Sequence, residues 1–261
     1  MPADFTINFI CHGDFELLEK TIPQNLKALC NNTDQTYDVI MTVDGIESLD
    51  PHCYLNSAPK WGIDEVRFRW RKNNCAIGDP SNNGHLHTFC DRTPYLLTLE
   101  GDIVIFQDNR DFDILSGFRK LFERHERLAV ASRMDDHDTW VWKLEDVASP
   151  FEPGIRSVNR VASHFLVYQT NRARKVMSRE PILKTDSFYD NGERWFNYED
   201  FISTKFAEPE GPGIAYIEKF PIKVYHCDVK VTKDSVFYSK DIDVKLREFK
   251  RRLTEEEHER K

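Results

Sequence analysis

This sequence of 261 residues has fewer positive than negative charges. Its 36 lysines and arginines are outnumbered by 44 aspartates and glutamates, which gives a formal net charge of -8 at pH 7. Proteins that coat nucleic acid neutralise phosphates with clustered basic side chains, so this acidic balance counts against a nucleic-acid partner. An anionic ligand would need a bound cation.

Long apolar runs and paired cysteines are also missing. No stretch approaches the 18 consecutive apolar residues of a membrane span, and no basic segment followed by an apolar one marks a secretion signal at the start. The six cysteines are scattered without a Cys-x-x-Cys pair, and several fall in apolar or helical patterns. We therefore expect free thiols in a reducing, cytoplasmic compartment.

The chain does contain enough apolar residues for a large core. Hydrophobic residues make up 40% of it and aromatic residues 12%, which suits a globular α/β protein. Buried strands alternate with helix-length segments, and strands are predicted at 5–11, 37–43, 65–70, 95–99 and 128–133. This order predicts a mainly parallel sheet with helices on both faces, whose ligands collect at the carboxyl ends of the strands.

Regular periodicity lapses in the second half. We expect a long loop over 134–158, then a strand at 161–168, a helix at 170–179 and a short helix in "NYEDFISTKFAE". "AYIE" and "IKVYHCD" are predicted to be closing strands. The last helix carries an apolar stripe of Val244, Leu246, Phe249 and Leu253, and its opposite, basic face (Lys245, Arg247, Lys250, Arg251, Arg252) is expected to be solvated.

The segment "YLLTLEGDIVIF" places two acids between apolar runs. Glu100 and Asp102 follow a predicted strand, and Gly101 between them favours a tight reversal. Charged side chains beside buried strands need a compensating partner. Paired carboxylates suit Mg²⁺ or Mn²⁺, which also bind substrate phosphates. The alternative is an ordinary acidic turn on the surface.

Other polar residues also stand at element ends. Asp44 ends the second strand, where a carboxylate can accept a hydrogen bond from a base or a ribose hydroxyl, or simply form a turn with the next glycine. His226 ends a late strand and is either a metal ligand or a hydrogen-bonded side chain. Glu199 and Asp200 begin a predicted helix, where an ionised carboxylate can serve as a general base or merely complement the helix dipole.

Two further groups have less specific patterns. Trp140, Trp142 and Trp195 lie in irregular polar segments, where indoles either stack on a sugar or fill packing gaps. The segment "GHLHTFC" offers possible zinc ligands, but no second ligand pair with suitable spacing follows it.

Taken in order, these segments resemble the GT-A fold nucleotide-sugar-dependent glycosyltransferases, closest to the family 2 type, over about residues 5–228. "FTINFICHGDFELLEKTIPQNL" is similar to that family's first strand and helix, and "VDGIESLD" to its nucleotide-binding turn. "NNCAIGDPSNNGHLHTFCDRTPYLLTLEGD" is similar to the segment that leads to its Asp-x-Asp metal motif, with Glu100 in place of the first Asp. "NYEDF" resembles the Glu-Asp pair of its acceptor-side helix.

The resemblance implies a metal-dependent, inverting glycosyltransferase. Asp44, Glu100, Asp102 and Asn74 would bind a UDP- or GDP-linked sugar, and Asp102 with His226 would bind Mn²⁺ or Mg²⁺. Whether Glu100 contacts ribose or metal stays open. Asp200 would be the catalytic base beside Glu199, and the hydroxyl of an acceptor, a carbohydrate or small molecule, would lie near Trp140, Trp142 and Trp195.

It also implies one GT-A domain spanning 1–261. Residues 1–133 would form the nucleotide-sugar half, 134–228 the acceptor half and 229–261 a C-terminal helical extension. A sugar-1-phosphate nucleotidyltransferase is an alternative, although "ICHGDFELL" lacks its Gly-rich phosphate loop. A catalytically dead carbohydrate- or nucleotide-binding module on the same scaffold is another, and a DNA-modifying transferase is disfavoured by the acidic charge.

Overall fold

The structure is a computed structural model of the chain. It describes residues 2–11, 13–44, 49–69, 93–133, 135, 153–158, 164–177, 187–190, 193–196, 206, 213–227 and 241–259.

The first half alternates strands and helices as predicted. Its elements are β1 (Phe5–Cys11), α1 (Phe15–Leu29), β2 (Tyr37–Asp44), α2 (Pro51–Trp61), β3 (Glu65–Arg69), β4 (Tyr95–Glu100), β5 (Ile103–Gln107), α3 (Ile114–Arg124) and β6 (Leu128–Ser132). The pairs β3–β2, β2–β1 and β1–β4 are all parallel. Every residue of β1 is buried, as expected of a strand covered on both faces.

The second half contains shorter elements. They are β7 (Ile155–Ser157), β8 (Phe165–Gln169), α4 (Thr170–Met177), β9 (Ser187–Asp190), β10 (Glu193–Phe196), β11 (Gly213–Ile217), β12 (Ile222–His226) and α5 (Ile242–Glu259). Three of these elements correct the sequence prediction. Strand β7 lies at the end of the predicted 134–158 loop, and β9 and β10 form a hairpin in a stretch without a regular pattern.

The central sheet has eight strands in the order β3-β2-β1-β4-β8-β6-β11-β7. Strand β8 runs antiparallel to both β4 and β6, and β7 runs antiparallel to β11, whereas the other pairings are parallel. The predicted α/β class with a mainly parallel sheet is therefore confirmed. The antiparallel position of β8 brings its first residue to the carboxyl end of β4.

Strand β5 does not continue the central sheet. It pairs with β12 in a separate two-stranded sheet, in which Ile103 faces His226. Its other edge receives polar side chains of α1: Asn25 donates to the Ile103 carbonyl and accepts from the Ile105 amide, both at 2.8 Å. These bonds fix the start of β5 against α1 because an unpaired buried backbone group would be costly.

Helix α5 packs on this small sheet. Phe249 is buried against Leu17, Val104 and Phe106, and Leu246 and Leu253 pack beside it, so this part of the predicted apolar stripe is confirmed. Lys245 departs from the prediction of a solvated basic face, because it is only 8% exposed.

Two general expectations concern covalent state and membranes. Four cysteines are free thiols in the described part of the chain: Cys11, Cys30, Cys53 and Cys227. Among the helices that the structure describes, none combines the length and apolar character needed to cross a membrane.

Candidate functional site

The turn between β4 and β5 carries Glu100 and Asp102. The Gly101 amide donates to the Ile10 carbonyl at 2.9 Å, and the Gly101 carbonyl accepts from the buried Thr21 hydroxyl at 2.6 Å. A Cβ atom at Gly101 would stand 2.3 Å from a methyl carbon of Leu18. The close approach of α1 therefore favours glycine at this position in the turn, in addition to the predicted reversal of the chain.

His164 lies beside Glu100 because of the strand order. Strand β8 is antiparallel to β4 with Phe165 opposite Leu99, so the preceding residue, His164, reaches the end of β4. The Glu100 amide donates to the His164 carbonyl at 3.0 Å. The His164 Nδ1 atom is 2.8 Å from Glu100 Oε2, within hydrogen-bond distance.

His226 lies beside Asp102 because it ends β12 opposite Ile103. The Cys227 amide donates to the Asp102 carbonyl at 2.8 Å, which fixes the two chain segments together. The His226 Nε2 atom is 3.4 Å from Asp102 Oδ1. The rings of His164 and His226 are 4.5 Å apart, so both carboxylates and both imidazoles form one cluster.

Lys245 of α5 and Asp14 complete the cluster. The Lys245 Nζ atom is 2.5 Å from Asp14 Oδ2 and 3.6 Å from Asp102 Oδ2. Asp14 is the N-cap residue of α1, in the left-handed region with φ 47°, yet its side chain makes no capping hydrogen bond. The carboxylate that usually caps a helix is used here to hold the ammonium group.

The electrostatics favour an ionised Asp102. Burial alone would raise the pKa of its carboxyl, but the nearby His226 and Lys245 outweigh that effect and lower the pKa to about 2. Glu100, Asp102 and Asp14 with Lys245 carry a formal charge of -2, which a single divalent cation would neutralise.

The donor atoms also fit a divalent cation. One ligand atom each of Glu100, His164 and His226 lies within 4.8 Å of the others, with both histidines buried. Among the described residues, the buried Asp102 Oδ1 has His226 Nε2 at 3.4 Å and no well-formed hydrogen bond, which is costly for a carboxylate oxygen unless a ligand completes it. Carboxylate oxygens and imidazole nitrogens are ligands that Mn²⁺ and related cations accept.

The structure brings together three of the predicted site residues: Glu100, Asp102 and His226. Asp44 ends β2 and Trp195 lies on β10, but their side chains are outside the described part of the structure. The other predicted residues fall outside the described residues altogether: Asn74, Trp140, Trp142, Glu199, Asp200 and the "GHLHTFC" segment. Their roles stay predictions.

Sequence reasoning missed the positions of His164, Lys245 and Asp14 in this cluster. Nothing in the "SHFLV" segment distinguishes His164 from an ordinary residue before a strand, because its place depends on the antiparallel insertion of β8. Lys245 did leave a signal. It stands four residues before Phe249 on the packed side of α5, where a lysine needs a buried partner.

No protein-family model matches the chain, and no curated protein matches it by sequence. Solved structures do match. The crystal structure of GalNAc-T7 with UDP, GalNAc and Mn²⁺ aligns with a TM-score of 0.55, at 10% identity, over 86% of this chain and 44% of that one. The structure of S. aureus TarS 1–349 with UDP-GlcNAc aligns with a TM-score of 0.49, at 14% identity, over 86% of this chain and 58% of that one.

The chain thus spans about half the length of these structures. At such low identity the likeness establishes the fold and nothing finer, and it is the GalNAc-T7 alignment that carries it. The chain has the GT-A fold of the nucleotide-sugar glycosyltransferases, with the Glu100–Asp102 turn at the carboxyl end of β4.

Proposed function

We propose that the protein is a metal-dependent, inverting glycosyltransferase that moves a sugar from a UDP- or GDP-linked donor to an acceptor hydroxyl. The observation that carries the proposal is the convergence of Glu100, Asp102, His164 and His226 at the end of β4. In open α/β sheets this edge is where ligands bind. GalNAc-T7, which shares the fold, was solved with UDP, GalNAc and Mn²⁺.

The two acids and two histidines would hold Mn²⁺ or Mg²⁺. When bound, the cation supplies positive charge that stabilises the leaving diphosphate. The lowered pKa keeps Asp102 ionised at neutral pH and therefore able to ligate. We assign Glu100 to the cation rather than to the ribose because its carboxylate lies with the two imidazoles.

The remaining roles are proposed from the resemblance. Asp44 and Asn74 would contact the nucleotide in the 1–133 half of a single GT-A domain. Trp140, Trp142 and Trp195 would form the acceptor wall in the 134–228 half. Asp200, beside Glu199, would take the proton of the acceptor hydroxyl during in-line attack, and a single displacement inverts the anomeric carbon.

The first test is thermal unfolding with UDP, GDP and UTP, each with and without Mn²⁺. A ligand at 100 times its dissociation constant stabilises the folded state by about 2.7 kcal/mol, so a real site gives a clear rise in Tm. We expect UDP or GDP to stabilise the protein only when Mn²⁺ is present. No stabilisation by any nucleotide would contradict the proposal.

The second test is turnover. We expect release of UDP or GDP from the matching nucleotide sugar, measured by NMR together with the anomeric configuration of the product. Asp200→Asn should keep nucleotide binding and lose turnover. Binding without any turnover in the wild type would indicate the dead module, and pyrophosphate release from UTP and a sugar 1-phosphate would indicate the nucleotidyltransferase.

A further inference from the structure

Lys245 places an ammonium group beside Asp102, one of the two carboxylates of the β4–β5 turn. It comes from α5, far along the chain from β4, and only 8% of it is exposed. Its Nζ atom lies between Asp14 Oδ2 at 2.5 Å and Asp102 Oδ2 at 3.6 Å. A buried lysine costs free energy unless such partners compensate it, so its place calls for a reason.

The helix that carries Lys245 is fastened to β12 at several points. The Lys223 Nζ atom is 3.0 Å from Glu256 Oε1 and 2.5 Å from Glu259 Oε2. The guanidinium carbon of Arg252 lies 4.4 Å from the centre of the Tyr225 ring. Phe249 of the same helix is buried as well. These contacts hold α5 against the small sheet, so Lys245 can exchange one partner for another by a movement of its side chain.

We propose that Lys245 makes the binding of the divalent cation and of the nucleoside diphosphate mutually dependent. This inference rests on the proposed function. Asp102 is shared between Lys245 and the cation, so a cation that binds alone must displace the ammonium group from Asp102. A diphosphate offers that ammonium group a new anionic partner. When both ligands bind, a single displacement of the ammonium group from Asp102 serves both of them.

The thermodynamic consequence is reciprocal. UDP strengthens Mn²⁺ binding by some factor, and Mn²⁺ must strengthen UDP binding by the same factor. Lys245 raises that factor because it weakens the binding of Mn²⁺ alone, whereas a bound diphosphate draws the ammonium group away from Asp102 and removes that competition. A lysine that merely links α5 to α1 through Asp14 would instead affect the stability of the fold and leave the factor unchanged.

The experiment compares Lys245→Gln with Lys245→Arg and with Lys250→Gln, an exposed lysine of the same helix. Titration calorimetry measures Mn²⁺ binding to each full-length protein, first alone and then with saturating UDP. An adjacent positive charge weakens the binding of a proton to a carboxylate by about tenfold or more. We expect a similar effect on a metal cation, so Lys245→Gln should bind Mn²⁺ alone about tenfold more tightly than the wild type. Its enhancement by UDP should fall by a similar factor.

The two controls separate charge from structure. Lys245→Arg keeps the positive charge and should retain most of the enhancement by UDP. Lys250→Gln makes the same charge change away from the cluster and should match the wild type within about twofold, because solvent screens exposed charges. Equal affinity for Mn²⁺ alone in Lys245→Gln and the wild type would overturn the inference.

A second variant keeps the test decisive if Lys245→Gln does not fold. Asp14→Asn removes the charged partner at 2.5 Å and should strengthen the contact of the ammonium group with Asp102, so the enhancement by UDP should rise. An unchanged or lower enhancement would overturn the inference. If the wild type binds Mn²⁺ and UDP but the variants behave as it does, only this inference fails. If the wild type binds neither, the proposed function fails with it.

Discussion

Two aspartates of this protein have the same exposure but differ in how many close hydrogen bonds they accept. The side chains of Asp135 and Asp102 are each 18% exposed, and each lies next to basic groups. Asp135 accepts from Arg133 twice at 2.9 Å and from the Val224 amide at 2.7 Å. Within the described part of the chain, Asp102 has the longer contacts of His226 at 3.4 Å and Lys245 at 3.6 Å, and its buried Oδ1 makes no well-formed hydrogen bond.

The difference lies in how completely the charges are satisfied. Arg133 also donates to the carbonyls of Ile217, Glu218 and Phe220, so its cluster ties three chain segments together. A saturated cluster has no capacity for a ligand. The cluster around Asp102 keeps coordination capacity inside the protein, which is what a ligand site requires and a structural ion pair does not.

The largest expected effect is the loss of stability in Arg133→Met. Removing one partner of a buried ion pair leaves the other charge uncompensated and costs about 3 kcal/mol or more. Urea unfolding measures it. Arg110→Met, at an exposed arginine, should change the free energy of unfolding by less than about 0.5 kcal/mol. If Arg133→Met were as mild as that control, the Arg133 cluster would not be structural.

Asp102→Asn, unlike Arg133→Met, should affect ligand binding and turnover more than stability. We expect turnover to fall by about 10²- to 10³-fold, the range for removing one electrostatic stabiliser, with loss of Mn²⁺-dependent binding of UDP. Kinetics and titration calorimetry measure the two quantities. Asp111→Asn, at an exposed aspartate, is the matched control. Normal turnover in Asp102→Asn would refute the assignment.

Asp102→Asn should lower the free energy of unfolding less than Arg133→Met does. The lowered pKa of Asp102, about 2 against an ordinary 3.8, corresponds to about 2 kcal/mol for its charged form. The difference from wild type should be fully present above pH 4. It should shrink as the pH falls toward 2, because Asp102 then becomes protonated. Urea unfolding across this pH range measures it, and a difference independent of pH would contradict the charge contacts.

Gly101→Ala should cost about 1–3 kcal/mol, as overpacking does. The added Cβ would stand 2.3 Å from a methyl carbon of Leu18, so the buried Leu18 side chain, α1 or the turn must shift. The cost should be smaller in a Leu18→Ala background, where there is room, and a double-mutant cycle of unfolding free energies tests this. Equal costs in both backgrounds would mean that Leu18 does not set the requirement for glycine.

The smallest expected effect belongs to Thr21→Val. This change keeps the shape of the side chain and removes the buried bond to the Gly101 carbonyl, which should cost about 1 kcal/mol. Thr254→Val is the control, because Thr254 is an exposed helical threonine that bonds to the carbonyl four residues before it. Chemical unfolding compares them, and equal costs would mean that α1 does not support the turn.

The sequence was sufficient to predict most of the elements of the first half and the two acids of the β4–β5 turn. Strands β1, β2, β4 and β6 and helix α1 follow from apolar runs and helical spacing, which depend on near neighbours. Their alternation with helices also predicted the mainly parallel sheet. Strand β7 and the β9–β10 hairpin were missed, because such short strands depend on partners distant in sequence.

The acids at the end of β4 were predicted from sequence because a charge between apolar runs is visible in one segment. The pairing of Asp14 with Lys245 depends on where α5 packs. His164 joins the cluster only because β8 runs antiparallel between β4 and β6. No local pattern encodes that insertion.

The sequence by itself determined the class of fold, the order of the main strands and helices of the first half and the place where two carboxylates interrupt an apolar run. The tertiary structure alone decided that one such carboxylate receives an imidazole from β12 and an ammonium group from α5, while Asp135 is fully bonded. The physical reason is that periodicity and propensity act over a few residues. The satisfaction of a buried charge depends on groups that meet only when distant segments pack together.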